Sequence, residues 1–273
     1  MPVTPSHLVA VVVPFYNRSY VTPEEELSFR HLRHYLGHYD KYLLVPRSLS
    51  MSYPGCEVMR FPDHFFGSHL ANTRLMLSRD LYRAFSEYKY ILVYQSDALV
   101  FSDQLQAWCE TDLDYIGAPW LKSEHTPFIK VPRVGNGGFS LRKVSSFLSV
   151  LGSDEYWTDP QAYWAALCRD KPRWWQWMNL PRKYRKYLKR YNGVSRHIAH
   201  WLAEGKCYED IFWAYEATHY YPEFKIADAK TGLRFAFEVM PRTCFELNDR
   251  QLPFGCHAWA RYDKDFWTPF LLK

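Results

Sequence analysis

The chain has 273 residues, of which 48% are hydrophobic and 18% aromatic. This composition excludes disorder over most of the chain, and the length suits one large α/β domain or two small ones. The net charge of +5 is unevenly distributed. The stretch from Arg169 to Arg196 contains ten basic residues and one acid, Asp170, so its charge is +9 and that of the remaining chain is −4. The basic character therefore belongs to one segment.

Cysteine usage and the N-terminal residues bear on the compartment. Six scattered cysteines without a CxxC pair argue against a structural zinc site or a disulfide framework and favour a reducing compartment. The apolar stretch Leu8–Phe15 lacks a preceding basic region and is too short to span a bilayer. We therefore expect a cytoplasmic protein without a transmembrane segment, either soluble or peripheral to a membrane.

The first hundred residues alternate between strand and helix signals. The predicted elements are a strand at Leu8–Pro14, a helix from the capping box Thr22-Pro23-Glu24-Glu25 to about Tyr39, strands at Tyr42–Val45 and Glu57–Phe61, a helix capped by Ser68 in which Leu70, Leu77, Leu81 and Phe85 share a face, and a strand from Tyr90 toward Asp97. This order predicts a doubly wound, mostly parallel sheet flanked by helices.

The second half is more elaborate. Its notable stretches are Tyr115–Trp120, the glycine-rich Val134–Arg142, the Trp-rich basic segment, Cys207–Trp213, the strand-like Phe224–Ala227 and Leu233–Val239, and Pro253–Trp259. Because no linker or repeat interrupts the chain, we expect one continuous domain over 1–273, with 153–206 as a basic, Trp-rich helical insertion.

Asp97 follows a strand that reads as buried on both faces. A carboxylate there needs a partner, since an unpaired buried charge is strongly disfavoured. In open α/β sheets the ligand cleft lies at the carboxyl ends of the strands. Asp97 therefore marks a candidate site, although an aspartate capped by backbone amides would leave the same pattern.

The motifs in this order resemble a family of nucleotide-sugar glycosyltransferases with the GT-A fold, and in particular the glycosyltransferase-like family DUF5672. The resemblance rests on Gln95–Asp97, Gly117–Trp120, Gly135–Arg142, the Glu209-Asp210 pair and Phe254–His257, and spans roughly Val9 to Trp259. It implies a GT-A (Rossmann-like) mixed sheet and transfer of a sugar from a nucleotide donor.

The resemblance also implies a divalent metal, Mn²⁺ or Mg²⁺, on the donor diphosphate. Asp97 and His257 match the expected ligand positions, but Gln95 replaces the first carboxylate of the DxD motif, so that metal dependence is open. A buried histidine in an aromatic pocket is the alternative for His257.

Glu209-Asp210 occupies the position of the catalytic acid pair of inverting enzymes. By this analogy Asp210 is the base that deprotonates the acceptor hydroxyl, and Glu209 orients the acceptor or the loop. Acids at the start of a helix also interact favourably with its dipole, which is the alternative.

The resemblance implies donor contacts after the first strand, early on the helix that begins near Ser68 and at the end of the Asp97 strand, and the glycine-rich loop would cradle the donor sugar or the acceptor. The candidate nucleotide-sugar-binding residues are Pro14, Tyr16, Asn17, Arg18, Asn72, Arg74, Gln95, Ser96, Asp97, Gly137 and Gly138. The glycines match neither the GxxxxGK[ST] nor the GxGxxG pattern, which disfavours ATP and dinucleotide sites; a tight turn remains the alternative.

In the basic segment, Asn179 and Pro181 predict the start of a helix and Gly193 its end, with a tyrosine stripe facing inward. We assign Trp120, Lys183, Lys186 and Arg190 to an acceptor or polymer surface. An anionic membrane, an anionic glycan and nucleic acid all fit this charge, as does a merely solvated face.

The leading hypothesis is an inverting glycosyltransferase that uses a UDP-sugar by default and acts on a hydroxyl of a glycan or other polymer. The alternative is a nucleic-acid or anionic-polymer binding module on an inactive GT-A-like core. The missing first acid of DxD is the best support for the alternative.

Overall fold

The computed structural model describes residues 6–15, 18–124, 126–127, 129–156, 164–165, 168–189, 193–206 and 208–273, with only the backbone described for 182–189. The strands are β1 His7–Pro14, β2 Asp40–Pro46, β3 Glu57–Phe61, β4 Tyr88–Tyr94, β5 Leu99–Val100, β6 Tyr115–Gly117, β7 Pro119–Trp120, β8 Arg133–Val134, β9 Phe139–Lys143, β10 Ala236–Phe237 and β11 Gly255–Cys256. The helices are α1 Pro23–Leu36, α2 His69–Met76, α3 Arg79–Ala84, α4 Leu105–Glu110, α5 Val144–Gly152, α6 Arg173–Lys189, α7 Val194–Ala203, α8 Glu209–Tyr215, α9 Ala217–Tyr220, α10 Ala229–Phe235, α11 Pro241–Leu247 and α12 Lys264–Trp267, and short 3₁₀ turns lie at Asp63–Phe65 and Thr268–Phe270.

Six strands form the central sheet in the order β3-β2-β1-β4-β9-β6. The pairs β3/β2, β2/β1 and β1/β4 are parallel, whereas β9 runs antiparallel to both β4 and β6. Helices flank the sheet, so the predicted mixed, mostly parallel α/β architecture is confirmed.

The two middle strands form the centre of the main core. Residues 9–13 of β1 and 90–94 of β4 are all buried, and Val11 lies beside Leu92 in the register. Strands buried on both faces read as continuous apolar runs, which is the pattern that the sequence shows here. A second, smaller core around β5, β10 and β11 includes Trp259 and Trp267.

Helix α1 begins where its capping box predicts. The Thr22 side chain accepts a hydrogen bond from the Glu25 amide, and the Glu25 carboxylate accepts one from the Thr22 amide. The helix ends at Leu36 rather than near Tyr39, because β2 already begins at Asp40.

The single helix predicted after Ser68 is wrong. Ser68 does cap α2, but α2 ends at Met76, and Ser78 caps a separate helix, α3, by accepting a hydrogen bond from the Asp80 amide. Although the apolar spacing continues through Ser78, the serine side chain bonds to the backbone and so allows one helix to end and a new helix to begin.

Of two predicted strands in the second half, one is wrong and the other is much shorter than predicted. Phe224–Ala227 forms only an isolated bridge, between Ile226 and Tyr115. Within Leu233–Val239 the first residues finish helix α10, which Asp228 caps, and only Ala236–Phe237 forms a strand.

The basic segment differs from its prediction at its start. Helix α6 begins at Arg173, six residues before Asn179, and Pro181 lies inside it rather than at its first turn. The side chains of Lys183 and Lys186, and residue Arg190 as a whole, lie outside the described residues, so their assignment to a polymer surface stays a prediction. Helix α7 packs against the main core through Val194 and Trp201.

No helix in the described part of the chain combines the length and the apolar character needed to cross a bilayer.

Candidate active site

The order of the strands in the sheet predicts a crevice at the carboxyl ends of β1 and β4. From β1 the chain proceeds outward through β2 and β3, and then returns to β4 on the other side of β1. Such a switch point is where ligands bind in open α/β sheets. Two adjoining cavities of about 350 and 270 Å³ open here, and His69, Asn72 and Gln95 line both of them.

A polar cluster centred on His257 lies in the first cavity. His257 Nε2 is 2.9 Å from Gln95 Oε1 and 3.3 Å from Asp97 Oδ1, and Nδ1 is 2.9 Å from Glu238 Oε1. Gln95 and Asp97 follow the end of β4, whereas Glu238 follows β10 and His257 follows β11. Three segments far apart in the chain therefore meet at one imidazole.

The carboxylates of the cluster determine the charge of the imidazole. Burial alone would lower the pKa of His257, but the charges and hydrogen bonds of Asp97 and Glu238 raise it well above its usual value. Burial would likewise raise the pKa of Asp97, yet His257 holds it below its usual value. The two carboxylates therefore favour the protonated form of the imidazole.

The same atoms have the chemistry to receive a divalent cation. Asp97 Oδ1 and His257 Nε2, 3.3 Å apart, are separated as two adjacent ligands of one cation would be, and the Gln95 carbonyl oxygen is a third donor on the same side of the ring. Glu238 would keep the Nδ1 proton and so direct Nε2 toward the cation. Among the described residues no three His, Cys, Asp or Glu side chains form a metal-binding group, so further ligands would have to come from substrate or water.

Asp210 lies in the first turn of α8 and lines the same cavity. Burial and the nearby carboxylates of Glu209 and Glu238 raise its pKa well above the usual value. The Ile211 amide, which donates to Oδ1 at 2.8 Å, and the charge of Arg142 act in the opposite direction but do not outweigh them. A carboxyl group of raised basicity at the wall of a cavity has the properties of a general base.

Glu209 has a different environment from its neighbour. Its Oε1 pairs at 3.0 Å with the guanidinium of Arg142, which is fully buried. Arg142 also donates to the Tyr82 hydroxyl at 2.9 Å and to the Gly137 carbonyl at 3.2 Å. Of the two roles predicted for Glu209, acceptor or loop orientation, the contacts favour the loop, which it reaches through Arg142.

The glycine-rich loop lets these polar side chains approach the backbone. A Cβ at Gly137 would lie 2.3 Å from Glu209 Oε1, and one at Gly138 would lie 2.2 Å from His257 Nε2. Asn136 accepts from the Gly138 amide through Oδ1, and its amide nitrogen is 3.2 Å from His257 Nδ1. The glycines therefore leave room for the site's own side chains and also line the cavity.

Several predicted donor residues line the second cavity, and others do not. Pro14, Asn72 and Ser96 are among its walls, beside Phe65 and Phe66 of the loop after β3. Tyr16 and Asn17 lie outside the described residues, and Arg74 is exposed on α2 and lines neither cavity.

Ser96 and Arg18 are linked through the capping box of α1. The Ser96 hydroxyl donates to Glu25 at 2.6 Å, and Arg18 pairs with the same carboxylate at 2.5 Å. Glu25 thus holds the segment after β1 against the end of β4, and its capping role serves the site as well as the helix.

Trp120 lines the first cavity but is only 6% exposed, and its ring packs on Gly135, where a Cβ would collide with it. It is therefore a wall of the cavity rather than part of an open surface.

Glu238 is the main residue that the sequence reasoning missed. It follows β10 directly, and a carboxylate at the end of a short apolar strand is the signal that singled out Asp97. The importance of Arg142 was also missed, since a buried arginine in a strand carries no local signal.

Comparison with known proteins assigns the family. The chain belongs to the family described as a protein of unknown function, DUF5672, which matches residues 55–257, so this resemblance is confirmed. No curated protein matches the chain.

Two solved structures show similarity to the chain. One is the apo form of the glycosyltransferase GlyE of Streptococcus pneumoniae TIGR4, with 14% identity, a TM-score of 0.43, and coverage of 97% of this chain and 60% of that one. The other is a glycosyltransferase involved in the glycosylation of the major capsid of PBCV-1, with 10% identity, a TM-score of 0.43, and coverage of 96% and 98%. The chain thus spans about 60% of the length of GlyE.

Proposed function

We propose that this protein is an inverting glycosyltransferase that transfers a sugar from a nucleotide-sugar donor, by default a UDP-sugar, to a hydroxyl of a glycan or other polymer. The observation that carries the proposal is the placement of Asp210, a carboxyl with raised pKa, in the same cavity as the Asp97–His257 pair at the sheet's switch point. A transferase needs these two functions, proton removal and charge stabilisation, in one space.

The two adjoining cavities suit the two parts of such a donor. The second cavity has aromatic walls at Phe65 and Phe66, against which a nucleobase would stack. His69 and Asn72 lie where the cavities join, so that the diphosphate would pass them toward Asp97. The sugar and the acceptor would then share the larger cavity with Asp210.

The proposed step is one displacement. Asp210 takes the proton of the acceptor hydroxyl, the acceptor oxygen bonds to the anomeric carbon, and the bond from that carbon to the phosphate oxygen breaks. The nucleoside diphosphate leaves with the electron pair, and the configuration inverts because attack and departure are on opposite faces.

Asp97 and His257, with the Gln95 carbonyl, would hold Mn²⁺ or Mg²⁺ beside the diphosphate. The cation, when bound, would neutralise charge that develops on the leaving group. Glu238 would hold the imidazole in the tautomer that presents Nε2.

The first test is thermal unfolding with UDP, GDP, dTDP and CMP, each with and without Mn²⁺. A nucleotide at about 100 times its dissociation constant adds about 2.7 kcal/mol, which raises the midpoint by roughly 5 °C in a protein of this size. A shift with one nucleotide identifies the donor class, and its dependence on Mn²⁺ tests the metal pair. No shift with any nucleotide would refute the donor site and favour the polymer-binding alternative.

The second test concerns the base. Asp210→Asn should abolish transfer while the nucleotide-induced shift is retained, because the amide cannot accept the proton. Asp170→Asn is the matched control, since Asp170 is exposed and lines neither cavity. Near-normal turnover by Asp210→Asn would show that another group removes the proton.

A further inference from the structure

Helix α6 presents an apolar face to solvent in its first two turns. Ten large apolar side chains are exposed among the described residues, and four of them lie within this short stretch: Trp174, Trp177, Met178 and Leu180. Trp174 and Trp177 are 64% and 78% exposed, and Met178 is 73% exposed. Trp174, Trp177 and Met178 form what we call the apolar face of α6, and Leu180 lies at its edge beside Trp177. Such a cluster is a marker of an interaction surface.

The orientation of this face follows from what lies on the other side of the helix. Asn179 is buried and donates to the Trp175 carbonyl, whereas Gln176, half-buried, donates to the Lys171 carbonyl. Trp174, Trp177 and Met178 are spaced i, i+3 and i+4, and so share one side of the helix, away from Asn179. The side of the helix that carries Trp175, Gln176 and Asn179 is therefore the less exposed one, and Trp174, Trp177 and Met178 remain open to solvent.

The charge around the face is mainly positive. Arg169, Lys171 and Arg173 are exposed immediately before or at the start of α6. They belong to the stretch from Arg169 to Arg196 that carries +9, while the remainder of the chain carries −4. The exposed tryptophans therefore belong to the same stretch of sequence as most of the chain's excess positive charge.

We infer that the first half of α6 docks this protein on an anionic lipid surface. Tryptophan residues on one side of a helix with lysine and arginine beside them are typical of helices that lie in the membrane interface. The indole rings and Met178 would enter the boundary between headgroups and acyl chains, and the basic residues would meet the anionic headgroups.

The same observations disfavour two other occupants. A second copy of the chain would bring this face against its own twin in a two-fold dimer, and the like charges would repel. Nucleic acid would use the charge and stack on the tryptophans, but it would leave Met178 and Leu180 without an apolar partner.

The test is co-sedimentation of the full chain with vesicles of phosphatidylcholine, alone or with about a third phosphatidylglycerol, at low and physiological salt. The wild type should bind the anionic vesicles. The triple variant Trp174→Ser/Trp177→Ser/Met178→Ser should bind them about tenfold or more weakly. The double variant Val131→Ser/Leu247→Ser is the matched control, since both residues are exposed elsewhere, and it should bind like the wild type.

A second variant separates charge from apolar contact. Lys171→Glu/Arg173→Glu should remove most of the preference for anionic over neutral vesicles while the tryptophans stay in place, and it decides the matter if the triple variant fails to fold. Unchanged vesicle binding by both variants would overturn the inference. So would an absence of vesicle binding, whether accompanied by RNA binding, by self-association that the triple variant loses, or by neither. None of these outcomes depends on sugar transfer.

Discussion

Breaking the ion pair between Arg142 and Glu209 by removing one partner should be among the most destabilising single changes near the site. Its side chains are 0% and 8% exposed, so that replacing Arg142 by Met leaves a buried carboxylate without its counter-charge. Breaking a buried pair in this way costs about 3–5 kcal/mol. For 273 residues the entropy of unfolding is about 0.6 kcal/mol per degree, so the midpoint should fall by about 5–9 °C.

An exposed pair provides the matched control. Arg250 and Glu246 are 2.9 Å apart with side chains 73% and 59% exposed, and Arg250→Met should change the stability far less than Arg142→Met does. Urea denaturation of both variants measures the difference directly. The double variant Arg142→Met/Glu209→Leu should recover about 2 kcal/mol of the loss, since no charge is then stranded.

Two results would refute this reasoning. If Arg142→Met and Arg250→Met were equally mild, the pair would not be a buried one in solution. If the double variant lost the sum of the two single losses, the charges would not be coupled, and the destabilisation would come from the lost contacts to Tyr82 and the Gly137 carbonyl instead.

Three further predictions follow from local features. The rate of transfer should fall on acidification through the raised pKa of Asp210, because only the ionised form accepts a proton; a pH–rate profile still flat well below neutral pH would contradict this. Gly138→Ala should weaken Mn²⁺ binding in calorimetry by about tenfold or more, since its Cβ would meet His257 Nε2 at 2.2 Å, whereas Gly152→Ala, with an ordinary 3.4 Å contact, should not. Burial lowers the pKa of His31, so the neutral ring stabilises the fold above pH 6.5, and this stabilisation is lost as the pH falls. The difference in unfolding free energy between the wild type and His31→Phe should therefore narrow from pH 7 to pH 5. A constant difference would show that the protonation of His31 does not change on unfolding.

Much of the fold could be predicted from the sequence because its signals are local. The apolar run of β4, the Thr22–Glu25 capping box and the serine cap of α2 each act within a few residues, and all are present in the structure. The predictions failed where two local signals compete. Ser78 ends a helix that the apolar spacing continues, and Pro181 suggests a helix start inside α6.

The sequence by itself therefore determined the parallel half of the sheet, the family, and the position of Asp97 at a strand end. Only the tertiary structure decided which polar groups share the crevice. His257 lies 162 residues from Gln95 and 19 from Glu238, and Arg142 lies 67 from Glu209. No periodicity or spacing reports such separations, because these contacts form only when β4, β9, β10 and β11 are brought to one edge of the cavity.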